Sequence, residues 1–496
     1  MEVLSPLWKH QETALERIKS CDEFAFFWQM GCGKSRGAIE AWRLKCNTEK
    51  RFLRTIILTP PIVVRNWEDE FLKHSKVAQA KITLLTGSGK DRLKAFNKHA
   101  YQNDTPQGQI MVTNYESLLM PDLFEAFQKW QPEVLILDES HRVKDQKAER
   151  TKKAIRLANG QKNPKTKEWI YFPVKYRFLL SGTPVLNSPM DLFSQFLVLD
   201  GGETFSANFF NFRATYFVDK NAGMPRHKYF PNWVIRDTAL EEINKKIKAK
   251  SMHVTKEQCL DLPPLVKQTI KVGMTKDQAA AYQTMKQDFL AFVKDNQGKD
   301  HTATATMALT KALRLQQIAS GYVKTVEGRE ISFEKTPKMA ALEELLTELT
   351  PHSKVIVWCC WKENYNEIRE LLARLRIDYV EVHGETPPNQ RFERVDRFKD
   401  DPNCRVFMGH PGAGGIGISL VSASYAIFYS RTFSLEHSLQ AESRNHRPGC
   451  QQWDKITRID LACEGTLDEI VMKKLLNKEE ISSKLLMTDL AEALKK

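Results

Sequence analysis

Two series of short apolar runs constrain the fold of this 496-residue chain more than any other feature. The first series comprises residues 24–28, 55–58, 110–113, 134–137 and 178–180, and the second comprises residues 355–358, 379–382, 406–408 and 426–429. Each run is bounded by turn or charged residues, and helix-like stretches follow several of them, as is typical of buried parallel strands. The sequence therefore predicts an α/β chain with two lobes, each a mostly parallel sheet flanked by helices.

The region from about 190 to 335 lies between the two series and has a different character. Helical patterns occur there at 240–250, 276–293 and 307–319, whereas strand signals nearly vanish. We interpret this region as helical insertions plus a linker around 260–264. Lobe 1 is accordingly assigned to residues 1–260, with an insertion near 190–250, and lobe 2 to residues 261–496, with an insertion near 275–325.

Composition narrows the class of protein. The 74 Lys and Arg residues exceed the 61 acidic residues, and the net charge of +13 favours a polyanionic partner. Nine cysteines without a Cys-x-x-Cys pair predict neither a zinc site nor a disulfide framework, and they fit a reducing compartment. No signal peptide or run long enough to span a bilayer is evident, so we expect no membrane partner. The expected location is the cytoplasm of a bacterial or virus-infected cell, with the nucleus as an alternative.

Residues 31–35, Gly-Cys-Gly-Lys-Ser, form half of a phosphate-binding motif. The full motif has another glycine at the position of Trp28. The chemistry of the remaining half is intact, because glycines let backbone amides approach phosphate and the following helix directs its positive end at the site. Lys34 is predicted to reach the β- and γ-phosphate oxygens, and Ser35 to hold magnesium.

A second chemical signal is the apolar run that ends in Asp138, Glu139, Ser140 and His141. A carboxylate at the end of a strand is well placed to bind magnesium, directly or through water, which is the role predicted for Asp138. Glu139 is predicted to polarise the attacking water. ATP and Mg²⁺ are therefore the expected cofactors.

Gln440, Arg444 and Arg447 lie some four hundred residues beyond the phosphate loop. If these arginines complete the transition state of a nucleotide bound by the first lobe, ATP binding draws the lobes together and hydrolysis releases them. This arrangement is that of a motor split across two lobes.

Four motifs and their order along the chain resemble those of helicase superfamily two. The motifs are Gly-Lys-Ser, Asp-Glu-Ser-His, Ser-Gly-Thr-Pro at 181–184 and Gln-x-x-x-Arg-x-x-Arg. Further segments at 7–11, 66–70, 113–116, 314–318 and 446–449 look like those of the Swi/Snf-type ATPases. The resemblance covers nearly the whole chain and implies two tandem RecA-like lobes. Among its departures from the family pattern, Ser140 replaces a usual Ala or Gly.

The resemblance also implies roles for individual residues. Gln11 would read the adenine, and the two arginines would act as fingers on the γ-phosphate. The catalytic set it implies is Lys34, Asp138, Glu139, Arg444 and Arg447. The ATP-binding set is Gln11, Gly31, Gly33, Lys34, Ser35, Gly415, Gly417 and Gln440, and the set that couples nucleotide state to DNA is Asn114, His141, Ser181 and Thr183.

The expected function is an ATP-dependent translocase on double-stranded DNA that remodels DNA or protein–DNA complexes. The absence of accessory domains suits a compact bacterial or viral form that meets other proteins on the DNA. Two alternatives stay open: a strand-separating DNA or RNA helicase, and a non-hydrolysing, nucleotide-gated DNA clamp.

Residues 159–172 are an extra stretch in which lysines alternate with Trp169, Tyr171 and Phe172. We predict a solvated hairpin whose aromatic side chains pack on the lobe. The alternatives are a basic tip that touches DNA and a wedge that separates strands.

Overall fold

The protein is described by a computed structural model that covers residues 3–102, 105–185, 188–224, 229, 231–236, 238–259, 262–295, 301–324, 330–412, 418–431, 434–469 and 471–472. The described residues fall into two compact units. The first draws on Met1–Val218 and Trp233–Leu260, and the second on Asp219–Asn232 and Asp261–Glu479.

A seven-stranded sheet forms the centre of the first unit, and all of its pairings are parallel. In chain order the strands are β1 (Glu23–Trp28), β2 (Thr55–Thr59), β3 (Ile82–Leu84), β4 (Ile110–Asn114), β5 (Val134–Asp138), β6 (Tyr176–Leu180) and β7 (Ser251–Val254). Across the sheet they lie in the order β7-β1-β6-β5-β2-β4-β3. The carboxyl ends of all seven strands therefore lie at one edge of the sheet.

Helices cover both faces of this sheet. They are Lys9–Lys19, Lys34–Thr48, Val64–His74, Gly89–Ala100, Pro121–Trp130, Glu149–Asn159, Asp191–Asp200, Phe209–Tyr216, Ala239–Lys248 and Lys256–Cys259. Successive residues of β1 alternate between two apolar cores, with Phe24, Phe26 and Trp28 in one and Ala25 and Phe27 in the other. Burial on both faces explains why the strands read as continuous apolar runs.

The second unit contains a six-stranded sheet whose pairings are also all parallel. Its strands are β8 (Leu265–Val272), β9 (Lys354–Trp358), β10 (Asp378–Val382), β11 (Cys404–Gly409), β12 (Ala423–Phe428) and β13 (Ile456–Cys463), in the spatial order β8-β13-β12-β9-β11-β10. The helices are Lys276–Asp295, His301–Ala319, Pro337–Leu349, Lys362–Leu375, Pro388–Asp400 and Leu435–Glu442. Two parallel sheets flanked by helices confirm the predicted fold class.

The region between 190 and 335, where strand signals nearly vanish in the sequence, contains strands as well as helices. β7 and β8 lie in this region, where they form edge strands of the two sheets. β8 escaped the apolar pattern because its middle residues, from Lys267 to Thr269, are exposed at the edge. β13 is fully buried but was also missed, because its Arg458 and Asp460 pair with each other and give the strand a polar sequence.

The prediction for residues 159–172 is half correct. Strands Gln161–Lys162 and Trp169–Tyr171 form an antiparallel hairpin, as expected. Two of its three aromatic side chains do not pack on the lobe as expected, however, since Trp169 is 38% exposed and Phe172 is 59% exposed, whereas Tyr171 is half-buried. The main-chain carbonyl of Tyr171 approaches Gly160 so closely that a Cβ there would lie 2.4 Å from it, so the base of the hairpin is held tightly while its rings face solvent.

None of the described helices is both long and apolar enough to cross a membrane.

The half-buried carboxyl group of Glu367, on helix Lys362–Leu375, predicts a pH-dependent stability. Burial, aided by the charges of Glu363 and Glu370, raises the pKa of Glu367 to about 7. The folded protein then binds more protons than the unfolded chain between about pH 4.5 and about pH 7, so stability falls as the pH rises through this window. We expect Glu367→Gln to flatten the dependence, as measured by calorimetric unfolding across that range.

Glu348→Gln is the matched control for this prediction, because Glu348 is exposed on helix Pro337–Leu349. It should leave the slope of the unfolding temperature against pH unchanged. An equal flattening in both variants would show that Glu367 is not the group responsible.

Candidate nucleotide site

The phosphate loop lies between β1 and helix Lys34–Thr48. Gly31 and Gly33 have φ values of +89° and +74°, in the region that favours glycine, and Gly33 is the N-cap of the helix. The Lys34 Nζ donates to the main-chain oxygens of Trp28 at 3.0 Å and Gln29 at 3.4 Å. The lysine ammonium therefore lies within the loop, at the positive end of the helix, as an anion site requires.

Trp28, which stands in place of a motif glycine, is accommodated beneath the loop. Its buried indole packs edge-on against Phe26 and His10, with ring centroids 4.9 Å and 4.7 Å away. A Cβ at Gly37 would lie 2.8 Å from the indole, so the absence of a side chain there makes room for the ring. The departure from the motif thus changes the packing under the loop and leaves the glycines at 31 and 33 in place.

Gln11 lies directly against the phosphate loop. It is buried on helix Lys9–Lys19, where its Nε2 donates to the Gly33 oxygen at 3.3 Å and its Oε1 accepts from the Trp8 amide at 3.0 Å. The structure therefore brings Gln11 next to Gly33, as the expected nucleotide site requires. The adenine-reading role stays a prediction.

Asp138 ends β5 at the same edge of the sheet. Its Oδ2 accepts hydrogen bonds from the Thr59 hydroxyl at 2.9 Å and the Trp67 indole Nε1 at 3.0 Å. Burial and the neighbouring Glu139 raise the pKa of Asp138 to about 6, although these two hydrogen bonds and Lys34 oppose the rise. Thr59 and Trp67 hold the carboxylate in place, a role that the sequence alone did not reveal.

Glu139 has φ +53° and ψ +56°, a left-handed conformation that is strained for a residue with a side chain. Its buried Oε2 has no hydrogen-bond partner among the described residues, and it lies 3.4 Å from the His141 Nδ1. The same His141 nitrogen lies 3.2 Å from the Ser181 hydroxyl. His141 therefore connects Glu139 to the Ser-Gly-Thr-Pro loop that follows β6.

That loop is held close to the phosphate loop. The Thr183 amide donates to the Ser181 Oγ at 3.1 Å, which fixes the turn. A Cβ on Gly182 would lie 3.4 Å from the Met30 backbone nitrogen and 3.5 Å from the Lys34 Nζ. The loop of Ser181 and Thr183 thus lies beside Lys34, and His141 connects it to Glu139, while the coupling role of these residues stays a prediction.

A buried polar bridge that the sequence did not predict joins the two loops. The Ser140 hydroxyl donates to the Gln195 Oε1 at 2.7 Å, and the Gln195 Nε2 donates to the main-chain oxygens of Pro184 at 2.7 Å and Asp191 at 2.8 Å. Ser140 and Gln195 are both completely buried. Ser140, a departure from the family pattern, is therefore the partner of a glutamine 55 positions further along the chain.

Asn114, predicted to couple to DNA, has a local structural role. It ends β4, and its Oδ1 accepts from the Ser117 amide at 3.2 Å and from the Arg92 Nη1 at 2.8 Å. These contacts cap the short helix Tyr115–Leu119. They account for the position of the side chain without a ligand.

The remaining predicted residues belong to the second unit. Gln440 lies on helix Leu435–Glu442 and donates to Glu436 at 2.9 Å. The Arg447 Nη1 donates to the Ile418 oxygen at 3.2 Å, and the Arg444 oxygen accepts from the Leu420 amide at 2.8 Å. Both arginines thus lie beside the end of the glycine-rich segment, while Gly415 and Gly417 fall outside the described residues.

Oxygen donors suited to magnesium are available at the first site. The Ser35 hydroxyl belongs to the first turn of its helix, and the Asp138 carboxylate is held at the end of β5. Hydroxyl and carboxylate oxygens are the ligands that Mg²⁺ uses beside nucleotide phosphates. The residues present therefore fit a Mg²⁺–ATP complex.

Comparison with known proteins shows that two domain families match this chain. The SNF2-related domain matches residues 10–321, and the helicase conserved C-terminal domain matches residues 337–449. An uncharacterized ATP-dependent helicase of Mycoplasma genitalium is 24% identical, with 98% of this chain and 43% of that protein covered. The Drosophila melanogaster SWI/SNF-related matrix-associated actin-dependent regulator of chromatin subfamily A-like protein 1 is 26% identical, with 76% of this chain and 44% of that protein covered.

Among solved structures, the Sulfolobus solfataricus SWI2/SNF2 ATPase core in complex with double-stranded DNA is similar at a TM-score of 0.44 and 21% identity. The match covers 99% of this chain and 97% of that one. The chain spans less than half the length of the two curated relatives described above.

The Ser140–Gln195 bridge predicts a specific loss of stability. Gln195→Leu leaves the buried Ser140 hydroxyl and the Pro184 oxygen without their partner, which costs about 1–3 kcal/mol. Chemical denaturation checks this. Gln128→Leu is the matched control, because Gln128 is also a buried helical glutamine but its Nε2 has no partner among the described residues. Equal losses in both variants would argue against a special contribution of the bridge.

Proposed function

Since this chain belongs to the Swi/Snf-type ATPases of helicase superfamily two, we propose that it couples ATP hydrolysis to movement along double-stranded DNA, remodelling DNA or protein–DNA complexes. One observation carries the proposal. The phosphate loop, the Asp138–Glu139 pair and the Ser181–Thr183 loop lie at one edge of a single parallel sheet. Hydrogen bonds of Ser140 and His141, which follow the pair, connect it to the loop after β6.

In the proposed mechanism the first unit holds the nucleotide. Backbone amides of the phosphate loop and the Lys34 ammonium bind the phosphates, while Ser35 and Asp138 hold magnesium, which when bound neutralises phosphate charge. The buried Oε2 of Glu139 is an acceptor for a proton of the attacking water. Thr59 and Trp67 keep the Asp138 carboxylate fixed, so little reorganisation is required during the reaction.

His141 provides the proposed link between hydrolysis and DNA. Its Nδ1 lies near both the Glu139 carboxylate and the Ser181 hydroxyl, so a change in charge or position at Glu139 alters the contact with Ser181. The Ser140–Gln195–Pro184 bridge keeps the two loops at a constant spacing, so that a movement of the Glu139 loop also moves the Ser181 loop. In the second unit, Arg444 and Arg447 are the proposed fingers on the γ-phosphate, and Gln440 adds a further contact with the nucleotide.

The net charge of +13 supports a polyanionic track. Contacts with the phosphate backbone carry no sequence information, so affinity should fall steeply with salt and depend little on base sequence. The Drosophila relative is by its name a regulator of chromatin, which favours duplex DNA as the track. The alternatives are a strand-separating helicase and a non-hydrolysing clamp. The following test distinguishes each of them from a translocase.

Steady-state ATP hydrolysis tests the proposal. We expect duplex DNA to stimulate hydrolysis more than single-stranded DNA or RNA, and Lys34→Ala to abolish it because the phosphates lose their ammonium partner. Stronger stimulation by single strands or RNA would indicate an unwinding helicase. The absence of any hydrolysis that depends on Lys34 would indicate a clamp.

Glu139→Gln tests the assignment of the water-activating residue. The amide keeps the size of the side chain but is a poor proton acceptor, so we expect turnover to fall by about 10²–10⁴-fold while ATP binding persists. Pre-steady-state hydrolysis and equilibrium binding of a fluorescent ATP analogue provide the two measurements. Gln195→Asn, which shortens the neighbouring bridge, is a useful comparison, since it should alter DNA stimulation more than basal turnover. Undiminished hydrolysis by Glu139→Gln contradicts the assignment.

A further inference from the structure

The hairpin of residues 161–172 exposes a cluster of large apolar side chains that the nucleotide site does not use. Trp169, Ile170 and Phe172 are 38%, 43% and 59% exposed. The rings of Trp169 and Phe172 lie side by side, with centroids 6.2 Å apart and planes tilted by 32°. We propose that this hairpin is a binding surface for single-stranded nucleic acid, distinct from the motor's duplex track.

The rings are presented by a firmly held turn. The Asn163 Oδ1 accepts from the amides of Lys165 at 2.9 Å and Thr166 at 3.3 Å, and the Asn163 amide donates to the Glu168 oxygen at 2.8 Å. At the base of the hairpin, Arg156 donates to the Gln161 side chain. A preformed turn orders little on binding, so the affinity of a ligand for the rings is not offset by a large entropic cost.

The charge of the hairpin suits a polyanion. Lys162, Lys165 and Lys167 are exposed, against a single acidic residue, Glu168. The Lys162 Nζ lies 4.5 Å from the centroid of the Trp169 ring, so a cation and an aromatic face are combined in one place. Lysines bind phosphates, and aromatic rings stack on bases, which is how proteins bind single strands without reading their sequence.

The presence of the rings favours single strands over duplex DNA. Within a duplex both faces of each base are covered by neighbouring bases, so an exposed indole has nothing to stack on. Lysines alone would serve a duplex backbone, which leaves Trp169 and Phe172 unexplained. Unpaired nucleotides offer phosphates to the lysines and uncovered base faces to the aromatic rings.

The hairpin also lies away from the nucleotide site. It joins the amino end of β6, whereas Ser181 follows the carboxyl end of the same strand. All strands of this sheet are parallel, so the hairpin and the phosphate loop are at opposite edges, separated by roughly 16 Å of strand. A strand bound at the hairpin therefore does not touch ATP, and the proposal does not depend on the proposed translocation.

Binding of a fluorescent (dT)₂₀ oligonucleotide to the whole protein tests the proposal. Excess unlabelled duplex DNA is added first, so that the duplex track is occupied, and fluorescence anisotropy then reports the remaining single-strand sites. We expect the double variant W169A/F172A to bind (dT)₂₀ on the order of ten-fold or more weakly, because each ring contributes stacking. W169F/F172Y retains both rings and should preserve the affinity.

Two controls make the result specific. F210A removes another aromatic ring of the first unit, which is 68% exposed, and should leave (dT)₂₀ affinity unchanged. Polyphosphate, which has charge but no bases, should bind W169A/F172A as well as it binds the unmodified protein. Thermal unfolding verifies that the variants are folded, as expected for exposed positions.

Three outcomes would overturn the proposal. Unchanged (dT)₂₀ affinity in W169A/F172A would show that the rings do not contact nucleic acid and would favour a protein partner for the surface. An equal loss of polyphosphate binding would show that the substitutions disturb the surface as a whole, so that the loss of (dT)₂₀ affinity is not due to stacking on the rings. A loss of duplex affinity as large as that for (dT)₂₀ would make the hairpin part of the duplex track. This experiment does not measure ATP hydrolysis. A failure of the proposed motor function would therefore be seen in the hydrolysis assay and not in the binding of (dT)₂₀.

Discussion

Parallel pairing of all seven strands in the first sheet is the constraint on which the nucleotide site depends. It brings the ends of β1, β2, β5 and β6 to one edge, although these segments are far apart in the chain. The phosphate loop, Thr59, Asp138 and Ser181 follow or end those strands. Side chains that contribute separate chemical groups thus share one region because of strand direction. The sheet is covered on both faces, as is typical of parallel sheets.

The free-energy cost of burying charge at the carboxyl ends of the strands is offset by specific hydrogen bonds. Asp138 is buried with its pKa raised to about 6, yet the Thr59 and Trp67 donors stabilise its ionised form. Glu139 is strained in its backbone, and its Oε2 lacks a hydrogen-bond partner among the described residues. Strain and an unsatisfied acceptor reduce stability, and they are retained where a reacting group must be positioned. The surrounding network of Ser140, His141 and Gln195 is fully or almost fully buried and supplies the rigidity that this arrangement requires.

The two edges of the same sheet carry different chemistry. At the carboxyl ends of the strands, buried polar groups are held in fixed hydrogen bonds. Such a site suits a reaction of a small ligand from which water is excluded. The hairpin at the amino edge has exposed rings and lysines on a firm turn, which suits a long ligand that is bound mainly by stacking and charge. Separation by the length of β6 allows the two surfaces to act without direct contact.

The local chemistry of this protein was determined by its sequence. Apolar runs with charged boundaries predicted nine strands of the two sheets, and the motifs at 31–35, 138–141 and 181–184 identified the groups that meet at the site. Edge strands such as β8, and β13 with its internal Arg458–Asp460 pair, were not predicted, because their polar residues are exposed or paired only in the folded sheet. Tertiary structure alone decided that Trp67 binds Asp138, that Ser140 finds Gln195, and that the rings of Trp169 and Phe172 face solvent. These are contacts, or absences of contact, between segments distant in the chain, and residue type and periodicity carry no information about which distant partner a side chain meets.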